Sequence, residues 1–175
     1  MFNLWNFLAY QLAWLAVLMS AAQGYAWAGA ALALLVTAVH LRLRRDLLEF
    51  KLVGLAALIG LLVDGTLAIT GQIHFASAWP PGLAPYWMLS LWIAFATTLN
   101  HSLRWLMLRP VAAALAGGVG GPLAYLAGEK LGALSITTPA VTLPLIALLW
   151  MPAMIALAMI VLRASTLPAA GRLPA

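Results

Sequence analysis

Six long apolar stretches, separated by short polar or helix-breaking ones, run through the chain. The first covers residues 4–22 and is interrupted by Asn6 and Gln11; after the break at Gln23-Gly24 the second covers 25–41, with His40 at its end. The third covers 52–71, the fourth 86–110, the fifth 111–134 and the sixth 141–162. Each approaches or exceeds the roughly 20 residues that a helix needs to cross a hydrocarbon core. The pattern predicts an all-α integral membrane protein, a six-transmembrane-helix bundle forming one domain over residues 1–165, with a short, disordered cytoplasmic tail at 166–175. The tight link between the first two stretches predicts an antiparallel hairpin.

Within these stretches the polar and small residues are not scattered. Ala57, Gly60, Asp64, Ala68 and Gly71 recur at three- and four-residue spacings, so they share one helical face. That face suits close helix packing and directs Asp64 toward protein rather than lipid. In the fourth stretch Ser90, Ala94, Thr97, His101 and Arg104 form a second stripe, with Asn100 beside it. Trp87, Trp92 and Trp105 either anchor this helix at the interfaces or line its packing face. In the fifth, Gly117, Gly121, Gly128 and Gly132 make two GxxxG pairs, a helix-packing stripe, and Pro122 is expected to kink or divide the helix. Pro144 and Pro152 are expected to bend the sixth. The segment 72–85, with Trp79-Pro80-Pro81-Gly82, reads as a loop.

Composition agrees. Hydrophobic residues make up 65% and charged residues 7%, and the mean hydropathy is +1.03; a soluble domain carries about 25% charged residues. Six spans leave no room for a separate soluble domain. The absence of cysteine excludes disulfides, thiolate catalysis and Cys-ligated metal. The net charge of +5 is a matter of membrane orientation, not of nucleic-acid binding. With the turn after the second stretch inside, eight of the nine Lys and Arg residues fall on that side and Lys130 falls opposite, which predicts both termini in the cytoplasm. The N-terminus has no positive charge ahead of its apolar run, which argues for a retained first helix over a cleaved signal peptide. The one strongly charged run, 42–51 (RLRRDLLEFK), reads as a solvated cytoplasmic loop with a short interfacial helix; an anionic-lipid or partner-docking patch is the sharper alternative.

Three runs carry a family resemblance: GLLVDGTLAITGQIHF (60–75), PYWMLSLWIAFATTLNHSLRWL (85–106) and GGVGGPLAYLAGEKLGAL (117–134). In this order and spacing they resemble a family of small bacterial inner-membrane proteins known only as a domain of unknown function. The resemblance spans nearly the whole chain and implies a multi-pass protein of the bacterial inner membrane, with no activity to carry over.

The candidate ligand-binding residues are Asp64, Asn100, His101, Arg104 and Glu129. Intramembrane carboxylates are costly unless paired or protonated, so Asp64 is either a proton or ligand group or a structural lock. Arg104 can meet both Asn100 and His101 on a helix, as an anion or headgroup pocket or as a lipid-phosphate contact. Asp64 lies roughly 18 Å from the inner side at 1.5 Å per residue, so a direct pair with Arg104 is not expected. Glu129 belongs to the outer interface, or to a cavity shared with Asp64 if Pro122 shortens the fifth helix. His40, His74 and His101 fall in three regions at different expected depths, so no metal centre and no cofactor are expected. No GxxxxGK[ST], GxGxxG or GxSxG context is present, and no residue is assigned as catalytic. The leading function is binding or movement of a small amphipathic molecule or lipid through an intramembrane polar pocket. The alternatives are a membrane enzyme acting on a lipid or isoprenoid by acid/base chemistry, and a structural or assembly partner. Expected partners are membrane lipid, a small amphipathic ligand, and another membrane protein or a second copy of the chain.

Overall fold

The computed structural model describes residues 2–166; all but the first residue of the expected tail lies outside them. Seven helices and two short strands follow one another: α1 (Phe2–Ala22), α2 (Ala26–Arg44), α3 (Leu47–Ile69), β1 (Ile73–Phe75), α4 (Tyr86–Leu99), α5 (Arg104–Met107), α6 (Pro110–Lys130), β2 (Leu134–Ile136) and α7 (Pro139–Thr166). Five of them, α1, α2, α3, α6 and α7, are long and apolar enough to cross a membrane. Their outward faces carry Trp5, Leu12, Trp27, Leu43, Leu62, Val111 and Leu148, all exposed. Apolar residues thus cover the inside and the outside of the bundle, the pattern of helices that face lipid. This is a helical membrane protein.

The fourth stretch departs from a single long helix. α4 has 14 residues, ten of them buried, and it touches α1, α2, α3 and α7. It spans about 21 Å at 1.5 Å per residue, short of the roughly 30 Å of hydrocarbon. At the end of the helix its regular ladder gives way to tighter local bonds. Thr97 and Thr98 donate to the carbonyls of Ala94 and Phe95, both at 2.7 Å, and the amides of His101 and Leu103 turn back to Thr98 O. Non-helical backbone is tolerated at such a place when protein surrounds it. The one-turn α5 follows.

Three further expectations are corrected. The charged run is not a loop with an interfacial helix: α2 continues to Arg44 and α3 starts at Leu47. Asp46 caps α3 by accepting from Leu48 N at 2.9 Å, which leaves only Arg45 and Asp46 between the helices. Pro122 does not divide α6, which runs through it as α7 runs through Pro144 and Pro152, so of the expected kink or division only the division is ruled out. The loops at 72–85 and after α6 are not wholly irregular, because β1 and β2 pair antiparallel with Ile73 opposite Ile136 and Phe75 opposite Leu134.

Small residues set the closest helix approaches. A Cβ on Gly60 would lie 2.2 Å from Trp92 Cδ1, and one on Gly121 would lie 2.6 Å from Trp150 Cγ. Gly117 and Gly128 are likewise pressed against Met154 and Leu134. Gly132, grouped with them by spacing, lies beyond the end of α6 at φ +81; it lets the chain leave the helix.

The bundle has two dissimilar ends. At one, β1–β2 joins the end of α3 to the start of α7, Ser77 Oγ donates to Ala21 O at 2.9 Å, and Thr142 Oγ1 donates to Gln72 Oε1 at 2.7 Å. At the other, the start of α1, the α2–α3 junction and the α4–α5 turn meet through side chains.

Candidate functional site

Asp64 sits in the C-terminal third of α3 and is buried. Its Oδ2 accepts from Trp92 Nε1 of α4 at 2.7 Å, and its Oδ1 accepts from the Tyr125 hydroxyl of α6. The small-residue face of α3 makes this contact: with no side chain at Gly60, the Trp92 ring lies flush against the helix one turn before Asp64. Asp64 therefore faces protein, and it ties three helices together. Among the described residues it forms no ion pair, with Arg104 or any other cation.

Tyr125 and Trp92 also line a cavity of about 50 Å³, with Tyr10 and Trp14 of α1, Phe95 of α4 and Trp150 of α7. Trp150 packs on Trp92 with ring centroids 4.6 Å apart. Its Nε1 is buried and lies toward the Tyr125 hydroxyl without completing a hydrogen bond to it. The walls are thus aromatic, with a Tyr hydroxyl bonded to a carboxylate and the Trp150 N–H beside that hydroxyl.

The second constellation is at the side-chain-held end, and its centre is Glu49, in the first turn of α3 and buried. Its Oε2 lies 2.9 Å from His40 Nε2, and its Oε1 accepts from Asn100 Nδ2 at 2.8 Å and lies 3.0 Å from His101 Nε2. Arg104 Nη1 donates to Asn100 Oδ1, which turns the Asn100 amide N–H toward Glu49. The Phe2 ring packs on both imidazoles, and the Arg44 guanidinium lies 3.7 Å above that ring. Asn6 closes the assembly, donating to Thr97 O at 3.1 Å and accepting from Ser102 Oγ at 2.8 Å.

The five ligand-binding candidates therefore part company. Asn100, His101 and Arg104 do converge, but around Glu49, which was not among them. Asp64 stands about 22 Å from Glu49 along α3, at 1.5 Å per residue. Glu129 joins neither group: its Oε1 accepts from Ile136 N at 2.8 Å and so supports β2. Carboxylate and imidazole meet in one cluster, yet neither Asp64 nor Glu129 supplies the carboxylate. The separation of the histidines by depth is overturned for two of them, since the His40 and His101 rings lie 4.9 Å apart. His74 is on β1, at the opposite end.

Glu49 was hidden because it lay in a run read as solvated. The signal that exposes it is Asp46 followed three residues later by Glu49, directly ahead of an apolar run. That is the pattern of a helix start, and it moves Glu49 from a loop onto α3. Tyr125 and Trp150 gave no signal, because an aromatic residue in an apolar helix reads as packing until its polar atom has a partner.

The sequence model of a family described as "Protein of unknown function (DUF2878)" matches residues 3–156. The chain belongs to this family. The match takes in both constellations and nearly all of the bundle, in line with the resemblance drawn above. No curated protein and no solved structure matches the chain.

Proposed function

We propose that this family member binds a small amphipathic molecule in the aromatic cavity beside Asp64, within the membrane. The observation that carries the reading is the cavity wall, which is lined by Tyr125, held by Asp64, and by Trp150, whose buried N–H lies toward the Tyr125 hydroxyl without completing a hydrogen bond. An unpaired polar group in an apolar medium costs roughly 2–7 kcal/mol. A ligand's polar atom would recover that cost while the rings of Tyr10, Trp14 and Phe95 take up its apolar part. Binding sites combine apolar walls with a few placed polar groups in this way. The space exceeds the roughly 10–15 Å³ that a single water needs, so it admits a group of a few heavy atoms, the head or the end of a larger molecule.

In this reading α1, α2, α3, α4, α6 and α7 are six spans, α4 crossing as a short helix shielded by its neighbours. The end bearing Arg42, Arg44, Arg45, Arg104 and Arg109 faces the cytoplasm of a bacterial inner membrane, following the bias of basic turns toward that side.

The test is mass spectrometry of small molecules and lipids that copurify with the full chain, comparing wild type with Asp64→Asn and Trp150→Phe. A specific molecule held by wild type and lost from Trp150→Phe supports the pocket, and its depletion from Asp64→Asn assigns the carboxylate a part in it. Bulk membrane lipid alone, the same in all three, removes the pocket and leaves Asp64 as a lock between helices.

A further inference from the structure

We infer that His40, Glu49 and His101 form a binding site for a divalent transition-metal ion of the zinc class. The inference is independent of the cavity beside Asp64.

The donor set is the first argument. Two imidazole nitrogens and a carboxylate are brought together from three separate places, the end of α2, the first turn of α3 and the turn after α4. The ligand atoms all lie within 4.8 Å of one another. Each imidazole presents Nε2 to a different oxygen of the same carboxylate, at 2.9 and 3.0 Å. Around an ion with bonds of about 2.0 Å, tetrahedral ligand atoms stand about 3.3 Å apart, so the two nitrogen–oxygen spacings open by a few tenths of an ångström on binding while the widest spacing, within 4.8 Å, closes. Two His and one carboxylate are a recurrent three-ligand set for Zn²⁺ and other first-row ions, with a further position left for water or substrate.

The surroundings are the second argument. Ligands of a metal are held by an outer layer of bonds, and here that layer is in place. Asn100 holds Glu49 Oε1 and is itself fixed by Arg104. Phe2 packs against both rings, with centroids 6.2 and 5.2 Å away, which restrains their rotation. His40 and Glu49 are buried, while the His101 side chain keeps 14% exposure, so the cluster is shielded on the protein side and reachable at one edge. A groove between α1 and α2, lined by Phe2, Asn6, Val36, Val39 and Thr97, also reaches His40.

The experiment uses the full chain in detergent, stripped with a chelator, dialysed and reloaded with Zn²⁺ or Co²⁺. Wild type is expected to retain about one Zn²⁺ per chain, to melt at a higher temperature with Zn²⁺ than with chelator, and with Co²⁺ to show the visible absorption of a four- or five-coordinate N/O site. Loss of a ligand in His40→Gln, Glu49→Gln or His101→Gln should weaken Zn²⁺ binding at least tenfold, as the loss of an outer-layer partner alone can do. Each should abolish the Zn²⁺-dependent melting shift. His74→Gln, at the other end, should bind as wild type does. Glu49→Gln keeps the size and a hydrogen-bonding carbonyl, so it separates ligation from folding. Wild type that retains no Zn²⁺, or no more than the His40→Gln/His101→Gln double variant, overturns the site. Should the ligand variants fail to fold, the Co²⁺ spectrum of wild type decides alone, and a spectrum of aqueous octahedral Co²⁺ overturns it.

Discussion

Glu49 is the residue on which the largest number of other polar side chains depend. His40, Asn100 and His101 bond it directly, and Arg104 acts through Asn100. Replacing it with Leu removes the shared acceptor from three donors that stay in place, and stripping one partner from a buried polar cluster costs about 3 kcal/mol or more. Glu49→Leu should therefore unfold at a clearly lower temperature than wild type in metal-free detergent solution, with Glu49→Gln between them; equal stability of all three would show that the cluster adds nothing to the fold. Asp64 teaches a different lesson. Its orientation toward protein was legible in the spacing of Ala57, Gly60, Ala68 and Gly71. Its partners were not, because Trp92 and Tyr125 count as apolar in any hydropathy pattern and reveal a donor only when three helices are assembled. His40 and His101 were separated by an argument from depth that assumed an unbroken fourth helix and a loop at Glu49. The first failed at Thr98, whose carbonyl takes the amides of His101 and Leu103, and the second at Asp46, whose side chain caps α3.

At the level of elements, the contact of Asp64 with α4 depends on Gly60, which admits Trp92. Adding one methyl there forces the ring away, and overpacking of this kind costs about 1–3 kcal/mol. Gly60→Ala should thus lower thermal stability and weaken the Trp92–Asp64 bond, read as a shift in tryptophan fluorescence. Gly54→Ala is the control on the same helix, since a Cβ there meets nothing within 4 Å; it should be neutral or mildly stabilising. Helices longer than twenty residues were legible from apolar run length alone. α4 was overextended because apolar residues resume at Leu103 and, past Arg104, run from Trp105 through Leu108, hiding the turn. The strands β1 and β2 have three residues each, too short to leave an alternating pattern.

For the whole molecule, the two ends of the bundle differ in charge as well as in construction. The basic residues at the α2–α3 junction and at the start of α6 lie at the Glu49 end, while Lys130 lies at the end with the strands. The chain has no cysteine, so single thiols can report on sidedness without background. With the proposed orientation, Arg45→Cys and Arg109→Cys should react with an impermeant maleimide only in inverted vesicles, and Lys130→Cys only in intact spheroplasts. Labelling of all three from the same side would rule out the six-span arrangement.

The strand pair has a consequence for how the family can diverge. Its ladder runs through main-chain amides and carbonyls, which every residue except proline provides in full, so identity can drift there as long as the buried Ile73, Phe75, Leu134 and Ile136 stay apolar and Glu129 keeps its bond to Ile136 N. The opposite end is fastened by particular side chains, and a change at Glu49, Asn100 or His101 undoes it. An alignment of family members should therefore show apolar residues interchanging over the buried positions of β1 and β2 and near-constant polar ones at the far end, a polarity of substitution written along the membrane normal.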